Sequence, residues 1–250
     1  MKYAKRNGTG WTISSISLPD DPLMSYSSKL LPWAESSIAV DKISGTAHVS
    51  LQMLGGLSGY VLGYWKTGLS HAMIVDSTGG VTGYQNAIAL DNNGYPLISY
   101  EARQAGTLKY ASWGGSTFST ETIGIMPGIY WESRLSSIAV DHGGNPHIAF
   151  YGQNKYQYAS RNGVAWSVES LPESDGYPSI SLCLDGTDKP HIALVAYSKL
   201  KYGYWNGSSW LFTTVDNDVY DCAIAADNSG KIHIAYSQGN VNRVIKYALK

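Results

Sequence analysis

Charge is scarce in this 250-residue chain: Asp, Glu, Lys and Arg make up 15% of it, the formal net charge is -1, and no basic run occurs. That argues against nucleic acid or an anionic membrane surface as the main partner. Apolar runs are short as well. No stretch reaches the roughly 18 apolar residues of a membrane-crossing helix, and the opening MKYAKRNGTGW lacks the apolar segment of a signal peptide. Cysteine is limited to Cys183 and Cys222, with no CxxC and no histidine at zinc-ligand spacing. Both read as buried small residues, and no metal site is expected. There is no G-x-S-x-G, no P-loop and no dinucleotide-binding glycine pattern, so no cofactor is expected. A sustained helical period is missing too.

What the chain has is tyrosine (19), tryptophan (8) and glycine (27), residues of strands and of the turns between them. They are organised as a repeat. Five segments align around an aspartate: SSIAVDKISGTAHVSLQ (36–52), NAIALDNNGYPLISYE (86–101), SSIAVDHGGNPHIAFYG (136–152), ISLCLDGTDKPHIALVA (180–196) and CAIAADNSGKIHIAYSQ (222–238). Each is followed by a short aromatic strand (LGYW, LKYA, YQYA, LKYG, IKYA) and, in most copies, by a further aromatic about eight residues on (Phe118, Trp166, Trp210). One unit thus holds four short strands. The first two are joined by a D-x-x-G-x-P turn, in which glycine supplies positive φ and proline enters the next strand.

Four-stranded units at this spacing predict an all-β protein, a β-propeller of antiparallel blades. The third-strand tyrosines fall at 3, 64, 110, 158, 202 and 247, in steps of 61, 46, 48, 44 and 45 residues, so five blades are expected. They would form a single domain over 1–250, with blades at about 36–77, 84–124, 135–171, 178–215 and 220–250 plus 1–17. The ring would close where WTISSIS (11–17) completes the last blade. One strand is then surplus, because KYA occurs at both 2–4 and 246–248. A displaced end, a longer array and a strand exchanged between two molecules all remain open.

The pattern D-x-x-G-x-P-H-I-A-Y, then L-K-Y-A, then Trp resembles repeats of bacterial and archaeal β-propeller proteins near the sialidase-like and lectin-like groups. The resemblance implies the fold and, from the usual setting of such repeats, an extracellular or cell-surface location. Function follows only weakly, since propellers host lectins, glycosidases, lyases and scaffolds. The sialidase Asp-box S-x-D-x-G-x-x-W is not intact here.

His48, His147, His191 and His233 share one repeat position, and Leu97 replaces them in the second unit. A ring of metal-binding or catalytic histidines would need them to converge. We read them instead as blade-building residues that hydrogen-bond within their own unit. The aspartate turns lack the alternating ligands of a calcium loop and read as tight turns. His71 stands where other units place an aromatic, and reads as divergence.

Function is expected where the repeat breaks, in the loops entering the first strand and leaving the second, which emerge together at the mouth of the central channel. The candidate ligand-binding residues are Trp33, Glu35, Tyr84, Asn86, Glu101, Arg103, Trp131, Arg134, Tyr177, Tyr220 and Asp221. Aromatic faces can stack on sugar C–H surfaces while amides, carboxylates and arginine take the hydroxyls. The competing reading is that these aromatics merely plug the funnel. The leading expectation is therefore a lectin-like module whose partner is a glycan or polysaccharide. A glycoside hydrolase using paired carboxylates, a lyase using Tyr and Arg, and a protein-interaction scaffold are the alternatives. No catalytic residue and no oligomeric state can be assigned.

Overall fold

The structure, a computed structural model, describes residues 1–18, 35–55, 59–78, 80–126, 135–174, 179–239 and 243–250. The described residues are β-strand and turn, with a single 3-10 turn at Arg103–Ala105. No helix is long and apolar enough to cross a membrane.

The strands form six antiparallel sheets. An N-terminal hairpin comprises β1 (Lys2–Asn7) and β2 (Gly10–Ser15). Sheet one holds β3 (Ser36–Val40), β4 (Ala47–Leu54), β5 (Tyr60–Lys66) and β6 (Met73–Asp76). Sheet two holds β7 (Thr82–Leu90), β8 (Pro96–Ala102), β9 (Thr107–Trp113) and β10 (Phe118–Ile125). Sheet three holds β11 (Ser136–Val140), β12 (Pro146–Gly152), β13 (Lys155–Asn162) and β14 (Ala165–Ser170). Sheet four holds β15 (Ile180–Leu184), β16 (Pro190–Ala196), β17 (Lys199–Trp205) and β18 (Trp210–Asn217). Sheet five has three strands, β19 (Val219–Ala226), β20 (Ile232–Gln238) and β21 (Val244–Leu249).

The first strands β3, β7, β11, β15 and β19 lie side by side in sequence order. Serine hydroxyls tie them together. Ser37 Oγ accepts from the Ile88 N–H (3.3 Å), Ser137 Oγ from Leu182 (3.0 Å) and Ser181 Oγ from Ile224 (3.2 Å). Farther out, the third-strand tyrosines of sheets one to three meet the fourth-strand aromatic of the next sheet: Tyr64 with Phe118, Tyr110 with Trp166 and Tyr158 with Trp210, at 5.3, 5.2 and 5.0 Å between ring centroids. Edge-to-face contacts of this kind add to the apolar burial between layers.

In sheets three, four and five the repeated aspartate and histidine bond within their own sheet, as their repetition implied. In sheets three, four and five one carboxylate oxygen closes the turn, as when Asp185 Oδ1 accepts from the Thr187 and Lys189 N–H groups at 2.7 and 3.1 Å. The other oxygen meets the histidine Nε2 (Asp141–His147 3.4 Å, Asp185–His191 3.2 Å, Asp227–His233 3.1 Å). The Nδ1 of each histidine then bonds the third-strand tyrosine hydroxyl, Tyr158, Tyr202 or Tyr247.

Ring closure differs from expectation. WTISSIS does not complete the last sheet: β2 pairs with β1 in a continuous register from Lys2↔Ser15 to Asn7↔Gly10, and six sheets are present where five blades were expected. The cause is local. The two-residue turn at Gly8 and Thr9, with Gly8 at φ 54, closes a hairpin at far lower entropic cost than pairing with a strand more than 200 residues away. The hairpin packs on sheet one through Ile16, Met1 and Tyr3, the last against Trp65. Two edges have no strand partner among the described residues. Ile38 is 55% exposed, whereas its equivalents Ile88, Ile138, Leu182 and Ile224 are at most 9% exposed. On the other side Ile245 and Tyr247 of β21 are exposed.

The turn aspartates give an acid limb to stability. Partial burial of Asp185 acts to raise its pKa, but hydrogen bonds from Thr187 and His191 and from the Lys189 backbone outweigh it and hold the carboxyl well below the usual range. This stabilisation is complete above the unfolded-state value of about 4 and is lost as pH falls below it. Asp185→Asn should therefore lower the urea midpoint at pH 7, and the gap to the parent protein should narrow steadily on going to pH 2.

Candidate functional site

The candidate residues gather between sheets one and two because β7 is irregular. Its register with β8 shifts between Thr82 and Tyr84 and again between Tyr84 and Ala87. Gly83 lies at φ 85 and Gln85 at φ 50, so the strand bulges and re-aims Tyr84, Gln85 and Asn86. Gly83 also lies so close to β5 that a Cβ there would sit 2.9 Å from Leu62 Cα.

The bulge is held to the neighbouring sheets by side-chain bonds. The Glu35 carboxylate accepts from the Gln85 backbone N–H and from Gln85 Nε2, the latter at 2.9 Å. Asn86 Nδ2 donates to Glu35 O (3.2 Å), and Ser50 Oγ donates to Asn86 Oδ1 (2.6 Å). On the far side Gln85 Oε1 accepts from the Leu135 N–H (3.1 Å), and Gln85 O accepts from Ser136 Oγ (2.8 Å). Gln85 thus joins sheet two to sheet three, where the tying serine of the other sheets is replaced by Ala87. These groups border a polar central cavity of about 390 Å3, lined by Glu35, Ser36, Gln85, Asn86 and Ser136 and, from sheet five, by Asp221. Asp221 Oδ1 accepts from Ser179 Oγ at 2.6 Å.

Beside this cavity lies an ionic pair. The Arg103 guanidinium rests over the Tyr84 ring, 3.7 Å from its centroid, and its Nε lies 3.4 Å from Glu101 Oε2. Tyr60 meets the Tyr84 ring edge-on at 5.7 Å. Glu101 is buried beneath the arginine, and its two carboxylate oxygens accept no hydrogen bond among the described residues. Burial pushes its pKa up to about 6; Arg103 draws it partly back, and the Glu35 charge adds to the rise. A carboxylate buried this way can hold the arginine in place by its charge.

Of the residues expected at the mouth, Glu35, Asn86 and Asp221 face one cavity, and Tyr84, Glu101 and Arg103 form the adjoining cluster. Tyr220 stands apart, with Arg243 over its ring at 5.3 Å and its hydroxyl donating to Asp218. Trp33, Trp131, Arg134 and Tyr177 lie outside the described residues. Two participants were missed, Tyr60 and Gln52. Gln52 is buried, with its side-chain amide beside the Tyr84 hydroxyl. A signal was available: Gln52 and Glu101 share one repeat position, where sheets three and four carry Tyr151 and Val195. Cys222 is buried and Cys183 half-buried, and the two do not pair with each other. Among the described residues no group of three His, Cys, Asp or Glu is placed to hold a metal.

No protein-family model matches the chain, and no curated protein matches it in sequence. Solved structures do resemble it. AofleA from Arthrobotrys oligospora superposes with a TM-score of 0.56 at 12% identity, over 100% of this chain and 75% of that one. A protein of unknown function from Dyadobacter fermentans gives 0.61 at 9% identity, over 86% and 78% of the two chains. An ulvan lyase of polysaccharide lyase family PL25, bound to -[GlcA(1-4)Rha3S]-, gives 0.58 at 13% identity, over 86% of this chain and 66% of that one. At such identities the likeness carries the fold: an all-β, propeller-like arrangement of antiparallel sheets.

The Glu101 carboxyl should titrate near pH 6 by carbon-detected NMR. With its pKa raised, its protonated form favours the folded state, so that contribution is present below about pH 4 and is lost as pH rises through 6. Glu101→Gln should therefore gain stability relative to the parent as pH rises, and Arg103→Ala should move the midpoint upward. A midpoint at an ordinary glutamate value would overturn the account of the pair.

Proposed function

We propose that this protein is a carbohydrate-binding, lectin-like β-propeller that takes a glycan at the mouth of its central channel. Its five larger sheets serve as five blades, and its setting is outside the cell. The observation that carries the reading is the convergence at one rim of Arg103 stacked on Tyr84, the neighbouring Tyr60, and a hydroxyl- and amide-lined cavity of about 390 Å3. A cavity of that size suits one or two sugar rings. Arg103 supplies forked donors to vicinal hydroxyls or to a carboxylate, and its buried partner Glu101 fixes its direction.

A second reading is an enzyme acting on uronate polysaccharides. It is favoured by the raised pKa of Glu101, about 6, beside an arginine and a tyrosine, since groups shifted toward neutrality recur at catalytic sites. The ulvan lyase of similar fold binds a glucuronate-containing chain, which makes uronates the first substrates to try.

Calorimetry over neutral, uronate-bearing and sulfated oligosaccharides should find at least one ligand, and Arg103→Ala should weaken it about tenfold, the value of a charge-assisted hydrogen bond. If the same ligand is also cleaved, with a new unsaturated or reducing end, the enzyme reading replaces the lectin one. No binding across the panel would sink both.

A further inference from the structure

A second cavity, of about 430 Å3, opens between sheets one and two at the turn end of the strands, away from the channel mouth. Two departures from the repeat produce it. The first turn, DKISGTAH, is one residue longer than its counterparts, with His48 seven positions after Asp41 where the others stand six apart. Asp41 turns instead to the Ile43 N–H and the Ser44 hydroxyl, at 2.8 and 2.6 Å. The junction is also closed by Phe118, where the next two junctions carry the larger Trp166 and Trp210.

His48 is left in an unusual state. It is only 5% exposed. Its Nδ1 bonds the Tyr64 hydroxyl at 2.7 Å, as the other histidines bond their tyrosines. Its Nε2, which in sheets three, four and five meets an aspartate, has no hydrogen-bond partner among the described residues and borders the cavity. Where the aspartate is present, Nε2 must carry the proton, so the tyrosine donates to Nδ1. If the bond in sheet one keeps this polarity, with the Tyr64 hydroxyl donating to Nδ1, the proton of the neutral His48 ring lies on Nε2. Burial and the Lys66 charge lower the pKa of this imidazole and outweigh the opposing pull of the Asp41 carboxylate. The Nε2 edge of the ring thus faces the cavity and is available to a ligand there.

We propose that this cavity is a second ligand site, built for a single saccharide ring. Trp113 and Tyr95 flank it as aromatic walls for a C–H face, His48 Nε2 and Lys66 donate to ring hydroxyls, and Asp41 accepts from them. Its volume is within the range of small-ligand cavities. The site is separate from the channel mouth and does not depend on Arg103.

The test follows the His48 ring N–H by NMR while methyl glycosides of glucose, galactose, fucose and glucuronic acid are added to the full chain. At least one should shift that resonance saturably. The shift should persist in Arg103→Ala and vanish in Trp113→Arg, a substitution that installs the residue sheet three carries there, Arg161, and so spares the fold. His48→Leu, which copies Leu97 of sheet two, should lower affinity for the same glycoside about tenfold by calorimetry. The proposal fails if none of the four sugars gives a saturable shift, as for a site holding water alone. It fails equally if the shift survives Trp113→Arg, or if Arg103→Ala abolishes it and so assigns binding to the channel mouth.

Discussion

Each sheet of this protein is sealed by its neighbour. A four-stranded sheet of about 40 residues cannot bury both faces by itself, and repeat architectures solve this by stacking. Here the stack is pinned at two radii. Serine hydroxyls cross between adjacent first strands, as from Ser37 to Ile88, and third-strand tyrosines meet fourth-strand aromatics of the next sheet, as Tyr158 meets Trp210. Where the neighbour is missing, the effect is immediate: Ile38 is mostly exposed while Ile138, in the same repeat position, is buried.

The two candidate sites arise where this regular scheme is interrupted. Ala87 stands where a tying serine is expected, and the bulged Gln85 makes the inter-sheet link in its stead. That bulge is what carries Tyr84 to Arg103 and Asn86 to the cavity wall. At the other end of the same two sheets one inserted turn residue separates Asp41 from His48 and frees a buried ring nitrogen. Both irregularities fall at one junction, so both cavities border sheets one and two.

Electrostatics separates the roles of the acidic groups. The turn aspartates are held ionised by local donors, and Asp185 is the clearest case. Glu101, buried away from water, is pushed the other way and partly drawn back by Arg103. The same side-chain chemistry builds a turn in one setting and holds an arginine in the other, and the number of nearby donors makes the difference.

Sequence alone determined the strand pattern, the turn chemistry and the structural role of the Asp, His and Tyr repeat, because these depend on residues at most some 20 positions apart. It also pointed to the breaks in the repeat, and several residues named from those breaks, Glu35, Tyr84, Asn86, Glu101 and Arg103, do come together. Tertiary structure decided the rest. The KYA strand at 2–4 keeps its own hairpin, so among the described residues β2 does not complete the last sheet, an outcome set by competition between a two-residue turn and a distant edge, to which strand spacing is blind. The burial of Glu101, the separation of Tyr220 from the channel and the empty partner position of His48 each depend on how neighbouring sheets close over a side chain, and that is a property of packing between repeats, not of any one repeat.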